Sequence, residues 1–354
     1  MSFPHDLVTR AMRLFDPEAA HTCALLGLRA GLGPRARGDL WPRLRTTLAG
    51  LDLPNPVGLA AGFDKNCEAP DALLKAGFGF VECGTVTPLP QEGNPRPRIF
   101  RLSEDRAVIN RLGFNNKGLD AFAGRLAARA GRPGVVGANV GANKESSDRA
   151  ADYVRGLGQV WKHASYVTAN ISSPNTPGLR GLQERSALED LLARLREARL
   201  ALSAAHGARP LFLKVAPDLD ETAVRDIAEL ALVYGLDALI VSNTTLQRPA
   251  HLTSDNREEA GGLSGQPLFL ISTHILRLFA QALGGKLPLI GAGGVASGLT
   301  AYAKIRAGAS AVQLYSAMVY EGPGLVARIL HDLDALLMAD GFDSVAEAVG
   351  TGAS

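Results

Sequence analysis

From about residue 55 onward the chain alternates between two rhythms. Short apolar runs rich in β-branched residues are followed by longer stretches whose apolar positions recur with a helical period. Eight runs read as strands: "NPVGLAAG" (55–62), "FVECGTVT" (80–87), "GVVGANVG" (134–141), "YVTANIS" (166–172), "PLFLKVAP" (210–217), "ALIVSNTT" (238–245), "PLIGAGGV" (288–295) and "AVQLYSAM" (311–318). Amphipathic stretches such as "LEDLLARLREARLALSAA" and "ETAVRDIAELALVYG" lie between most of them, each long enough for a crossover helix. The alternation predicts a parallel sheet, and eight units predict closure into an α/β (β/α)8 barrel. An open doubly wound sheet would carry a Gly-x-Gly-x-x-Gly turn after its first strand, and "GLAAGFDK" is not one.

A barrel of this kind builds its active site at the carboxyl ends of its strands. Those ends carry Lys65; Thr85 and Thr87; Asn139; Asn170, Ser173 and Asn175; Lys214; Ser242, Asn243 and Thr244; Gly293 and Gly294; Tyr315 and Ser316. One asparagine at a strand end is ordinary turn chemistry. A nearly complete ring of small donors predicts a polar ligand at the centre. "ANISSPNTPG" (169–178) is the densest sector of that ring.

Two segments fall outside the strand count. Residues 89–117 form a long polar excursion whose apolar interruptions, Ile99, Phe100, Val108, Ile109 and Phe114, predict an ordered cover over the site. In the first forty residues, Leu7, Val8, Ala11, Met12 and Phe15 share one helical face with Arg10 and Arg13 off it. Asp16-Pro17-Glu18 predicts a second helix start, with N-cap, first-turn proline and an acid at the positive dipole end; that helix runs through Leu28 and stops at Gly31-Leu32-Gly33-Pro34. Two readings are open: a hairpin packed on the barrel, or amphipathic helices lying in a membrane surface with Arg29, Arg35 and Arg37 at anionic headgroups. The division expected is a helical extension over 1–38, a barrel over 39–340 and a tail over 341–354.

Composition narrows the partners. With 46% hydrophobic and 20% charged residues the 354-residue chain has an ordinary globular balance, and its net charge of +2 gives no push toward nucleic acid. Cys23, Cys67 and Cys83 are odd in number and unpaired in spacing, which predicts a reducing compartment. The seven histidines form no ligand spacing, so no metal is expected. No run reaches the ~20 apolar residues of a membrane-spanning helix, and the opening residues resemble neither a signal nor a transit peptide.

"GAGG" (291–294), "YS" (315–316) and "GGLSGQPL" (261–268) stand where such barrels hold phosphate on backbone N–H groups. Lys65 and Lys214 end apolar strands, positions that are costly unless they meet an anion. A Schiff-base lysine in a lyase or isomerase acting on a sugar phosphate is the competing reading. The amides favour a flat polar substrate, since each offers donor and acceptor. The N-terminal helices also remain open as a protein-docking module.

The ordered series "FDPEAAH", "AAGFDKN", "GTVTP", "RPRIFRL", "INRLGFNN", "ANISSPNTPGLR", "LKVAPDL", "VSNTT", "GGLSGQPL", "GAGGV" and "QLYSAMVY" resembles the class 2, quinone-dependent dihydroorotate dehydrogenases over nearly the whole length. The resemblance implies oxidation of (S)-dihydroorotate to orotate by hydride transfer to FMN, then electron transfer to ubiquinone or menaquinone, in pyrimidine synthesis. It implies FMN contacts from Ala61, Gly62, Phe63, Asp64, Lys65, Thr85, Asn139, Asn170, Lys214, Ser242, Gly265, Gly294, Tyr315 and Ser316. Ser242 stands where the family carries threonine, and the hydroxyl survives. Substrate contacts are implied for Lys65, Asn110, Arg111, Leu112, Gly113, Phe114, Asn170, Asn175, Asn243 and Thr244.

Ser173 falls on the family's base, with Thr176 and water as the proton path behind it. Lys214 would stabilise charge on the reduced flavin. His21, Arg101, Tyr315 and Val319 match quinone-tunnel positions, although His21 taken alone reads as a surface histidine. Class 1 relatives lack the extension and use cysteine as base. The resemblance therefore implies a monomer without an iron–sulfur partner, lying peripherally on the cytoplasmic side of a bacterial inner membrane.

Overall fold

The computed structural model describes residues 8, 9, 11–36 and 40–352. Leu7, Arg10, Arg37 and the expected boundary at 38 lie outside the described residues. In chain order the strands are β1 (Thr46–Leu48), β2 (Leu51–Leu53), β3 (Val57–Leu59), β4 (Phe80–Val86), β5 (Ile99–Leu102), β6 (Ala107–Asn110), β7 (Val135–Val140), β8 (Tyr166–Asn170), β9 (Leu211–Val215), β10 (Ala238–Val241), β11 (Gly262–Gly265), β12 (Leu289–Ala292) and β13 (Ala309–Leu314). All eight predicted runs are barrel strands: β3, β4, β7, β8, β9, β10, β12 and β13 close in that cyclic order, every pair parallel.

Both faces of these strands are covered, which is why they read as continuous apolar runs rather than alternating ones. One face packs on the surrounding helices. The other fills the barrel with Phe80, Tyr166, Phe212, Ile240 and Ile290, and Leu48 and Leu53 of the β1–β2 hairpin close its amino end. The rings of Tyr166 and Phe212 stack at 4.5 Å between centroids. Gly137 makes room for them, since a Cβ there would lie 2.1 Å from the Tyr166 ring.

The excursion is ordered, as expected. It folds into the β5–β6 hairpin, and β11 pairs antiparallel with β6, so that the glycine-rich segment read as a turn is first a strand and only then a helix, Leu268–Leu283. Leu102, Ala107, Ile109 and Leu263 give this three-stranded sheet a small core of its own. The extension helix spans Pro17–Arg29, and the Asp16 carboxylate caps it by accepting from the N–H groups of Glu18 and Ala19. Residues 345–352 fold back on the barrel: Val345 N–H reaches the Arg43 carbonyl at 3.0 Å, and Gly352 N–H the Arg306 carbonyl at 2.9 Å. Among the described residues no helix is long and apolar enough to cross a membrane.

Candidate active site

A cavity of about 660 Å³ opens at the carboxyl ends of the barrel strands and continues beneath the extension. Its walls include Ala61, Gly62, Phe63, Lys65, Thr85, Asn110, Leu112, Gly113, Phe114, Asn170, Ser173, Asn175, Lys214, Ser242, Asn243, Thr244, Gly265, Gly294, Tyr315 and Ser316, together with His21, Arg101 and Val319. Five sequence-predicted residues are not on the wall. Thr87 is engaged in the loop beyond β4, donating to the Leu89 carbonyl at 2.8 Å and accepting from Asn116 Nδ2 at 2.7 Å. Asp64 turns away to accept from the Glu68 and Ala69 N–H groups at 2.7 and 2.8 Å. Asn139 lies one layer below, under Thr85. Arg111 points outward, bonded to Glu259 at 2.7 Å and lying over the Phe100 ring. Thr176 is buried, its hydroxyl without a hydrogen-bond partner among the described residues.

The sector that ends β8 shows why it holds so many small polar groups. Asn170 is aligned with Lys214 across the β8–β9 ladder, so an amide and an ammonium enter the cavity side by side. Ser172 is locked: its hydroxyl donates to Asn170 Oδ1 at 2.7 Å and accepts from Asn243 Nδ2 at 2.9 Å. Ser173 is different. Among the described residues its Oγ accepts only the Asn175 N–H, at 3.3 Å, and it lines the cavity with no partner among them for its own proton. Asn175 in turn donates to Asn110 Oδ1 at 3.2 Å, tying this loop to the covering sheet.

Two cations set the electrostatics. Lys214 is 5% exposed and has no hydrogen-bond partner among the described residues, and burial lowers its pKa, partly offset by the charge of Glu82. Burial likewise brings Lys65 down to about 8, with Glu18 opposing the shift and Arg98 adding to it. Desolvated ammonium groups facing one cavity call for an anion or an electron-rich ring.

At the far side, β12 is followed by Gly293-Gly294. Gly294 has φ +74° and lies so close to the start of helix Leu268–Leu283 that a Cβ would come 2.4 Å from Phe269 Cβ. The Gly293 carbonyl is held back by Ser272 Oγ at 3.1 Å, which turns the Gly294 N–H the opposite way, because the two point oppositely in a trans peptide. Lys304, fully buried, supports this from behind by donating to Ser272 Oγ at 2.9 Å and Thr273 Oγ1 at 3.0 Å. Ser316 Oγ donates to Ser264 Oγ at 2.7 Å, closing the same corner.

The outer arm of the cavity is apolar, walled by Met12, Pro17, Ala20, Ala24 and Leu28 of the extension against Met318 and Val319. An aromatic junction joins the arms: the His21 ring meets Phe63 edge-on at 5.0 Å, and Phe63 meets Tyr315 at 5.5 Å. Burial, then Lys65, drives the His21 pKa down to about 4, so the imidazole is neutral at pH 7. The ring read as a surface histidine is thus a wall of the cavity. Arg101 donates to the carbonyls of Arg13 and Phe15 at 3.0 and 2.7 Å, ending the first helical segment over this arm.

Sequence reasoning missed Glu82, Lys304 and the docking role of Arg98. A charged residue inside an otherwise uncharged strand was the available signal for Glu82. Lys304 sits on an amphipathic helix and looks like any other basic position.

Fold and site define a (β/α)8-barrel protein with a cationic, amide-lined mouth and an apolar side arm. The family model for dihydroorotate dehydrogenase matches residues 43–337, and the chain belongs to that family. It is similar to proteins named dihydroorotate dehydrogenase (quinone) from Xanthobacter autotrophicus, 56% identical over 96% of both chains, and from Parvibaculum lavamentivorans, 57% identical over 96% of both. Among solved structures it resembles ligand-free dihydroorotate dehydrogenase from Eimeria tenella, with a TM-score of 0.91 and 44% identity over 95% of this chain and 99% of that one. The ferulenol complex of the Eimeria enzyme gives 0.90 and 43%, covering 95% of each chain.

Proposed function

We propose that the protein oxidises dihydroorotate to orotate in pyrimidine synthesis, with FMN bound in the barrel mouth, and delivers the electrons to a quinone through the apolar arm. The observation that carries this reading is Lys214: a buried ammonium without a hydrogen-bond partner among the described residues, side by side with Asn170. The similarity to quinone-dependent relatives over 96% of the chain supports the same conclusion.

The residues fit FMN. The Gly294 N–H and the start of helix Leu268–Leu283 offer a phosphate cradle too tight for any side chain at 294. Gly265 and Ser316 complete that corner, while Lys214, Thr85, Ser242 and Asn170 line the space for the ring system. When bound, FMN supplies the two-electron acceptor and the onward link to quinone.

In this reading Lys65, Asn110, Asn175, Asn243 and Thr244 hold the carboxylate and ring carbonyls of dihydroorotate, with Leu112, Gly113 and Phe114 closing over it. Ser173 Oγ takes the C5 proton. The electrons left at C5 form the C5=C6 double bond as the C6 hydrogen departs with its pair. Ser173 gives up its own hydroxyl proton as it takes this one, and Thr176, three residues further along the chain, is with water the route for the proton that leaves.

The neutral rings of His21 and Tyr315, with Arg101 and Val319, guide a quinone head group along the outer arm, and the extension lies on the membrane surface from which the quinone comes. A peripheral monomer on the cytoplasmic face of the inner membrane is the arrangement this implies. The test is anaerobic: purified protein is yellow and its flavin absorbance bleaches on adding dihydroorotate. Colourless protein that takes up no FMN would favour a non-redox barrel lyase.

A further inference from the structure

Below the cavity floor, Glu82 projects from β4 into the barrel interior with no solvent exposure. A carboxylate only accepts hydrogen bonds. Four side chains donate to it: Asn139 Nδ2 to Oε1 at 2.7 Å, and Tyr166 Oη, Thr168 Oγ1 and Gln313 Nε2 to Oε2 at 3.2, 3.1 and 3.1 Å. The contact with Asn139 starts a chain whose sense is fixed. Because Asn139 turns its NH2 to Glu82, its Oδ1 faces Thr85, whose hydroxyl donates to it at 2.6 Å. Thr85 Oγ1 then accepts from Asn170 Nδ2 at 2.8 Å. Asn170 Oδ1 accepts from the Ser172 hydroxyl at 2.7 Å, and Ser172 Oγ accepts from Asn243 Nδ2 at 2.9 Å. Asn243 Oδ1 ends the series by accepting the Thr244 N–H at 2.7 Å.

The consequence falls on the cavity, which Asn170 and Asn243 both line. Their side-chain oxygens are engaged within the chain; Asn170 keeps a second N–H, and the second N–H of Asn243 has only a long contact of 3.5 Å with Asn170 Oδ1 to give up. We propose that Glu82 is a positioning residue: its acceptor-only carboxylate sets both amides so that they present donors, which selects a ligand edge made of anionic or carbonyl oxygens. This rests on the reading of the cavity as a dihydroorotate site. A glutamine at 82 can donate as well as accept, so the chain could run in either sense and the amides would lose their bias. Glu82 is also the charge that faces Lys214, so Glu82→Gln perturbs two things at once. Thr85→Val cuts the chain and leaves that charge in place.

The test is orotate affinity, measured by calorimetry on FMN-loaded protein, for wild type, Glu82→Gln, Thr85→Val, Asn243→Ala and the combination of each of the first two with Asn243→Ala. Glu82→Gln and Thr85→Val should each weaken orotate about tenfold or more on protein saturated with FMN, whatever either change does to flavin retention. In the Asn243→Ala background either change should cost clearly less than it does in wild type, because only the Asn170 amide is then left to lose its bias, the non-additivity expected of residues acting through one network. Single effects within about twofold, or full additivity in the cycles, overturn the inference. If Glu82→Gln does not fold, the Thr85–Asn243 cycle decides by the same criterion. Wild-type protein that holds FMN but does not bind orotate overturns the substrate reading together with the relay; normal orotate binding with additive cycles overturns the relay alone.

Discussion

Glu18 and Arg98 meet as a two-pronged ion pair: Arg98 Nε lies 3.1 Å from Glu18 Oε2, and its NH2 lies 2.5 Å from Oε1. The third guanidinium nitrogen donates to the Glu92 and Asn94 carbonyls at 2.6 and 2.9 Å, so the arginine that holds the extension is itself held by the covering excursion. An acid placed at a helix start for its dipole thus also pins that helix to the barrel.

Glu18→Gln should loosen this dock. Arg98 is 7% exposed, and leaving its charge unpaired should cost on the order of 2 kcal/mol. Long-chain quinone turnover should fall while reduction of the flavin by dihydroorotate stays within about threefold. The pH dependence has a definite sign. Hydrogen bonding from Arg98 holds the Glu18 carboxyl below its ordinary range, so the dock is fully present above that range and is lost as pH falls through the lowered value. Equal losses in both half-reactions would contradict the assignment.

The two adjacent serines should separate cleanly. Ser173→Ala should retain FMN and bind orotate yet reduce flavin ~10²–10⁴-fold more slowly, the contribution of a positioned base. Ser172→Ala breaks the link between Asn170 and Asn243 and should act mainly on dihydroorotate KM. Single-turnover flavin reduction in both variants decides the matter; a crippled Ser172→Ala beside a mild Ser173→Ala assigns the base to the wrong serine.

Lys65 predicts a pH profile. Its ammonium titrates at about 8, below an ordinary lysine, so it is charged below that pH and neutral above it. Orotate affinity should therefore hold up to about pH 8 and fall as pH rises further, and Lys65→Met should start weaker and lose the dependence. A wild-type profile that is flat through that region would remove Lys65 from the anion contact.

Lys214→Ala should act on the flavin. Removing the buried cation makes the reduced, more negative flavin harder to form, so the reduction potential should drop and FMN should be held less tightly. An unchanged potential in fully loaded variant protein would place Lys214 outside direct contact.

The barrel was legible because its strands are covered on both faces and therefore spell continuous apolar runs, and because function gathers at their carboxyl ends. The β1–β2 hairpin was not, since strands as short as Thr46–Leu48 leave no periodic signal. Nor was β11, whose Gly262 and Gly265 read as turn residues until β6 lies beside them. The charge of Glu82 stood out within its strand, but its role was illegible for a different reason. Its partners Asn139, Tyr166, Thr168 and Gln313 come from three other strands, and only closure of the barrel brings them together. His21 illustrates the same limit, because its burial depends on Phe63 and Tyr315, far away in the chain.

The division of the cavity into a polar mouth and an apolar arm under the extension is tested most directly by deleting residues 1–38 and measuring both half-reactions on one sample. The mouth is built from residues downstream of the deletion, so stopped-flow reduction of bound flavin by dihydroorotate should survive. The apolar arm loses Met12, Pro17, Ala20, His21, Ala24 and Leu28, so steady-state turnover with long-chain quinones should be abolished. Full long-chain quinone turnover by the truncated protein would contradict the account and leave the extension as a packing or docking element.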